Sequence, residues 1–271
     1  MMEKKTVLIN CSPKKKLSVS GFIMKCAGLM IRGPKEYFQL RTPADRKPIL
    51  DALKTAGKVV FVMPLYVDSV PAHVLPFMKE MEGFCRENGL SLKVYVIANN
   101  GFIEGKQNEP LMQAVENFCA RAGLAWCGGV GIGGGVMLNV ERIMITVMFG
   151  LMLLNVALCA MQGDSVLAPV RSFGISLGEL LLLACGIIAC TVRLAIHVNK
   201  GADAGKRYTR IMVPSFLFIL FADIFFVIIS FFQGGLFRGW FSRFQPDAKY
   251  GILSMKRESF VSEGKNHAGS V

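Results

Sequence analysis

Five short apolar runs, separated by stretches of helical periodicity, constrain the first half of this chain to an α/β layout. The runs are Thr6 to Asn10, Glu36 to Leu40, Lys58 to Met63, Leu92 to Ala98 and Ala125 to Ile132. Val59-Val60-Phe61-Val62-Met63 and Val94-Tyr95-Val96-Ile97 are rich in β-branched and aromatic residues. They show no alternation of polar and apolar positions, as expected of parallel strands covered on both faces. Helical stripes lie between them: Phe22, Ile23, Cys26 and Met30, then Leu75, Met78, Met81 and Cys85, then Leu111, Ala114, Val115, Phe118 and Ala122. This alternation predicts a doubly wound, five-stranded parallel sheet with right-handed crossovers covering both faces.

After Gly133-Gly134-Gly135 the pattern changes. Ile143 to Met161 is 19 residues without a charge, Leu180 to Val192 is 13, and Ile211 to Phe232 carries one acid, Asp223. At ~1.5 Å per residue, 19 to 22 helical residues cover about 30 Å, the hydrocarbon thickness of a bilayer. The first and third stretches read as transmembrane helices. The second is bracketed by Glu179, Arg193 and His197 and has two readings, a span or a very apolar helix packed on the sheet.

The expected organisation is therefore an α/β domain over 1–135, a membrane region of two to three helices over 136–235, and a basic tail over 236–271. The helices fall at about 143–161, 174–198 and 211–233. Arg142 precedes the first span, and Arg193, Lys200, Lys206, Arg207 and Arg210 follow the second. By the positive-inside rule these place the chain in the cell membrane with its N-terminal domain cytoplasmic and 162–172 outside. Three full spans would leave Arg238, Arg243, Lys249, Lys256 and Arg257 outside, against the same rule.

The net charge of +12 calls for an anionic partner: nucleic acid, a membrane face or an anionic cofactor. There is no recognition-helix pattern, zinc-finger spacing or ribonucleoprotein aromatic motif, so nucleic acid is not expected and membrane lipid is. None of the eight cysteines forms a C-x-x-C pair and the three histidines are scattered, so neither a zinc site nor a disulfide framework is expected. Free thiols in a reducing compartment are the simpler reading. No signal peptide is expected, because the first apolar run breaks at a polar loop.

Three loops follow strands one, three and four: Ser12 to Ser20, Pro64 to Pro71 and Asn99 to Gly105. In an open parallel sheet, ligands bind in the crevice at those strand ends. The first loop is rich in hydroxyls and lysines and runs into a helix N-terminus near Ser20-Gly21-Phe22, an arrangement that binds phosphate. A formal G-x-G-x-x-G at Gly129 to Gly134 lacks the βαβ unit of a dinucleotide fingerprint, and its glycines read as a flexible exit from strand five.

Ser12-Pro13-Lys14 followed by Ser18 and Ser20 resembles the S-P-R-x-x-x-S-x-S/T loop of the flavodoxin-like NAD(P)H-dependent FMN reductase family. Pro64-Leu65-Tyr66-Val67-Asp68-Ser69-Val70-Pro71 resembles that family's P-x-Y-x-x-x-x-P segment, and Asn100-Gly101-Phe102 its third flavin loop. The resemblance covers about residues 5 to 135. It implies a flavodoxin-like sheet of order 2-1-3-4-5, FMN as cofactor and NAD(P)H as co-substrate. It further implies that Ser12, Pro13, Lys14, Ser18 and Ser20 form the phosphate loop, with the serines on the phosphate and Lys14 screening its charge. Pro64, Leu65, Tyr66 and Val67 would flank the isoalloxazine, and Asn100 and Gly101 would contact its edge. The flavin would carry hydride chemistry to a small-molecule electron acceptor, so no catalytic acid or base is required of the protein. Cys11 and Val19 stand where the family commonly has Gly and Asn. These departures motivate a second reading, a non-enzymatic membrane protein using the domain as scaffold or sensor. The fold often dimerises, which leaves a homodimer open.

Overall fold

A computed structural model of the chain describes residues 4–15, 18–211 and 215–232. Strands β1 (Lys5–Asn10), β2 (Lys35–Gln39), β3 (Ala56–Pro64), β4 (Lys93–Asn99), β5 (Ala125–Ile132) and β6 (Lys206–Tyr208) form one sheet of order β2-β1-β3-β4-β5-β6. Every pairing is parallel. The first five strands lie where the apolar runs place them, in the 2-1-3-4-5 order of the flavodoxin-like doubly wound sheet. The sixth corrects the five-stranded expectation: Gly129, Val130 and Gly131 of β5 pair with Lys206, Arg207 and Tyr208.

The missing alternation has a direct cause, because each side of the sheet carries its own core. Val59, Phe61 and Met63 of β3 join one core; Val60 and Val62 join the other. The first core packs under α2 (Arg46–Leu53), α3 (Val74–Glu87) and α4 (Glu109–Ala122), with Leu53, Phe77, Met81, Val115 and Phe118 completely buried. The second packs under α1 (Val19–Met30), through Ile23, Met24 and Ala27, and under a helix from the second half of the chain.

That helix is α7 (Cys185–Lys200). Its Leu194, Ala195 and Val198 are buried in the second core beside α1. Asn199 near its C-terminus accepts from the Arg32 backbone N–H at 2.8 Å and donates to the Met30 carbonyl at 3.1 Å. α7 is thus the crossover between β5 and β6. The α/β body does not end near Gly135; it resumes after an insertion made of α5 (Gly135–Gln162) and α6 (Leu167–Leu183). Both lie with it in one compact unit, Met1–Pro214.

The inserted pair exposes many large apolar side chains. Leu151, Leu153, Leu154 and Leu158 of α5 and Ile175, Leu181 and Leu182 of α6 are exposed. Within α5, Met137–Gln162 is, among the described residues, the one helix long and apolar enough to cross a membrane unaided. Its 26 residues span about 39 Å. The expected second span at 174–198 is not one helix: α6 and α7 meet at a 65° bend around Ala184, and the second half turns back onto the sheet. The helix α8 (Ser215–Phe232) covers most of the expected third segment and belongs to a second unit, Ser215–Val271. The expected tail over 236–271 lies outside the described residues.

Gly131 of β5 and Gly133 at its exit meet a packing demand, while Gly128 and Gly134 take positive φ, 87° and 69°. A Cβ on Gly131 would lie 2.6 Å from the Gly105 carbonyl oxygen, and one on Gly133 would lie 2.4 Å from that of Ile103.

Candidate functional site

β1, β3 and β4 end at the same edge of the sheet, and two asparagines tie the loops that leave it. Asn10 closes β1; its Oδ1 accepts from the Ser12 backbone N–H at 3.0 Å, and its Nδ2 donates to Gln39 Oε1 at 2.8 Å. Asn99 closes β4; its Nδ2 donates to Ser20 Oγ at 2.8 Å and to the Met63 carbonyl at 3.1 Å. The Leu65 N–H then donates to the Asn99 carbonyl at 2.8 Å, and the Gly135 N–H to that of Asn100 at 2.6 Å. The first turn of α1, the exits of β3 and β4 and the start of α5 are therefore one hydrogen-bonded assembly.

These segments enclose a cleft of about 130 Å³. Ser12, Lys14 and Ser20 line it from the first loop, Pro64, Leu65 and Tyr66 from the second, and Asn100 and Gly101 from the third. The structure brings together eight of the residues singled out from sequence. Three others stand apart from the lining: Pro13 is exposed, Ser18 is the N-cap of α1, and Val67 is 99% exposed. Ser18 Oγ accepts from the Gly21 N–H at 3.1 Å, a structural role that fixes where the helix begins. Val67 sits at the tip of a tight turn closed by Tyr66 and Ser69, whose N–H groups each donate to the other's carbonyl. Both central residues have positive φ, 47° at Val67 and 54° at Asp68, as in the hairpin turns that normally take Asn-Gly. A β-branched residue is strained there.

The donor set suits a phosphate. Ser12 Oγ accepts from the Lys14 N–H at 3.4 Å and Ser20 Oγ accepts from Asn99, which leaves each hydroxyl hydrogen for an acceptor in the cleft. Val19 and Ser20, in the first turn of α1, bring the positive end of the helix dipole to the same place. Lys14 adds a solvated positive charge. Pro64, Leu65 and the half-exposed ring of Tyr66 form an apolar wall beside these donors. The cleft is smaller than the roughly 300–1,000 Å³ of pockets that enclose a whole ligand, so it suits the polar end of a larger molecule. The phosphate and ring of FMN match this pairing of donors and apolar wall.

Cys11 does not crowd the loop. Its side chain is fully buried in the core beneath α2 and α3, where burial pushes the thiol pKa far up, and it takes none of the cleft's volume. Val19 does line the cleft and supplies an apolar surface there.

Asn99 and Gly135 also line the cleft without having been singled out as ligand-binding residues. A signal for Asn99 existed: β1 and β4 are apolar strands that both end in asparagine, and a polar residue at that position faces the crevice. Gly135 carried no local signal. A Cβ there would lie 2.9 Å from the Asn100 carbonyl oxygen and 3.0 Å from Asn99 Oδ1, neighbours supplied by a different strand.

No family model matches the chain. No curated protein matches it either. Among solved structures it is similar over part of its length to the Trp repressor binding protein from Bacillus subtilis, at 19% identity and a TM-score of 0.38, covering 46% of this chain and 85% of that one. It is also similar to an NAD(P)H:(acceptor) oxidoreductase flavoenzyme from Paracoccus denitrificans, at 15% identity and a TM-score of 0.39, covering 46% and 75%. An FMN-dependent NADH-azoreductase from Bacillus anthracis is a further likeness, at 14% identity and a TM-score of 0.32, covering 46% and 86%.

Proposed function

We propose that this chain is a membrane-held flavin oxidoreductase that binds FMN in the cleft between β1, β3 and β4 and uses NAD(P)H to reduce a small-molecule acceptor. One observation carries the reading. Phosphate donors and an apolar, tyrosine-bearing wall converge at the β1/β3 switch point of a 2-1-3-4-5 sheet, the place where that strand order binds FMN. When bound, the flavin supplies hydride acceptance from NAD(P)H and two-electron delivery to the acceptor.

The chain's own residues bind and orient. Ser12 and Ser20 donate to the phosphate, Lys14 screens its charge, and the α1 N-terminus adds its dipole. Tyr66, Pro64 and Leu65 would supply the apolar wall for the ring, and Asn100 and Gly101 would hold it from the third loop. The Asn99–Ser20 hydrogen bond holds the phosphate side and the ring side in register.

The membrane half of the reading rests on α5 and α6, which expose many large apolar side chains. α5 starts at Gly135, itself part of the cleft wall, so the inserted helices leave the sheet from the edge where the cleft opens. With α5 and α6 in a bilayer and the α/β body cytoplasmic, the cleft faces the lipid surface. The second reading, a scaffold or sensor without flavin, loses one of its motives because Cys11 is packed away from the loop.

The test is to purify the full chain in detergent, supplement it with FMN and remove free flavin. The expected result is retained visible flavin absorbance that bleaches with NAD(P)H and returns with an acceptor, weakened in Ser20→Ala and Tyr66→Ala. A correctly folded chain that retains no flavin overturns the reading.

A further inference from the structure

A second cavity, of about 430 Å³, lies where the inserted helices join the α/β body. Ile23 and Cys26 of α1, Leu138 and Ile145 of α5, and Leu181 and Ile187 on either side of the α6–α7 bend all line it. Its volume falls within the roughly 300–1,000 Å³ typical of ligand pockets. The 65° bend turns α6 away from the line of α7, which itself packs beside α1.

The lining is nearly all hydrocarbon. Thr191 donates its hydroxyl to the Ile187 carbonyl at 2.7 Å, which removes that polar group from the wall. Charge enters only with Glu141 and Arg142, neighbours on α5, and the Arg142 guanidinium sits 5.3 Å from the centroid of the Phe22 ring. The space is half open to its surroundings, so covering its apolar wall with hydrocarbon is favourable. A peptide strand is a poor occupant, because its N–H and C=O groups would find no partners among these side chains. A single alkyl or isoprenoid tail needs none.

Its position also argues for a membrane molecule. α5 runs from the cavity directly into its uncovered apolar stretch. The cavity is one helical turn from the flavin cleft on two helices at once: Ser20 lines the cleft and Ile23 the cavity on α1, and Gly135 and Leu138 do the same on α5.

We infer that this cavity is a tail-binding site for a membrane amphiphile, whose single long apolar tail lies between α1 and the α6–α7 bend and whose head group accepts hydrogen bonds from Arg142. The inference rests on the membrane half of the proposed function and is independent of the flavin.

The full chain is reconstituted in phosphatidylcholine vesicles containing a trace of a palmitic acid analogue with a photoreactive diazirine near the tail end, and cross-links are mapped by peptide mass. Cross-links at Ile23, Cys26, Leu138 or Ile187 are expected, competed by palmitic acid and not by hexanoic acid. Ile187→Trp, which places an indole in the path of the tail, weakens them severalfold while cross-links at the exposed Leu154 and Leu158 persist. Should that variant fail to fold, Arg142→Gln serves in its place, with the midpoint of thermal unfolding of the unaltered protein as a second readout: palmitic acid raises it and hexanoic acid does not. Cross-links confined to Leu154, Leu158 and their neighbours overturn the tail site and leave membrane insertion standing. A chain that does not stay with the vesicles after an alkaline carbonate wash overturns both.

Discussion

Asn99, the last residue of β4, donates from its side-chain nitrogen to Ser20 Oγ in the first turn of α1, across 2.8 Å and 79 positions of sequence. The same nitrogen donates to the Met63 carbonyl at 3.1 Å, so one buried side chain joins the ends of three elements. Asn99→Ala leaves the Met63 carbonyl without this donor and frees Ser20. The expected cost is ~1–3 kcal/mol of stability, read as a lowered midpoint of thermal unfolding. FMN affinity falls as well. Ser20→Ala, which keeps the Asn99 side-chain bond to the Met63 carbonyl, lowers FMN affinity with a smaller loss of stability. Equal stability losses in the two variants would contradict this assignment.

Lys14 is exposed on the rim of the cleft, so its contribution to phosphate binding is screened by salt. Lys14→Gln weakens FMN binding several-fold at low ionic strength, and titrations at rising salt converge on the unaltered protein. A deficit that salt does not change would mean that Lys14 acts through a direct, desolvated contact.

Val67 pays for its position in the left-handed region with no contact in return, since its side chain is 99% exposed at φ 47°. Val67→Gly is expected to stabilise the chain by about 1 kcal/mol through release of that strain. Thermal unfolding without flavin checks it. An unchanged or lower midpoint would show that the side chain is held by something not seen in the isolated chain.

Lys206 of β6 bonds to Glu109 at 3.1 Å and Glu116 at 2.6 Å, clipping the edge strand to α4. Partial burial pulls the Lys206 pKa down, but hydrogen bonds and attraction from the two carboxylates outweigh it and hold the group above its ordinary 10.5. A raised lysine pKa gives stability that is complete below the unfolded value and lost as pH climbs through the folded one. Lys206→Met is therefore less stable than the parent at pH 7, and the gap closes only above about pH 10.5. Unfolding midpoints measured across that range decide it; a gap that closes near neutrality would assign the effect elsewhere.

Of the candidate site, the loops themselves were legible. Ser12, Ser20, Tyr66 and Asn100 each follow a run whose strand character is local, and strand ends in a parallel sheet are where ligands bind. Ser18 and Val67 were not separable from them, because an N-cap serine and an exposed turn tip carry the same polar-loop pattern as a ligand contact. Which way Cys11 points was equally hidden, since its partners come from α2 and α3.

By itself the sequence determined the strands β1 to β5, the apolar stripes of α1, α3 and α4, and the break in pattern at Gly135, because each follows from hydrophobic spacing within one segment. Only the tertiary structure decided that α7 and β6 belong to the α/β body. An uncharged run such as Leu180 to Val192 reads alike whether it meets lipid or a sheet, and what distinguishes them is the presence of Leu8, Val60 and Ile97 opposite Leu194 and Val198. Lys206-Arg207-Tyr208 has no strand signal at all. It becomes a strand because β5 offers an open edge and Glu109 and Glu116 lie within reach of Lys206, neighbours about 90 residues away in sequence.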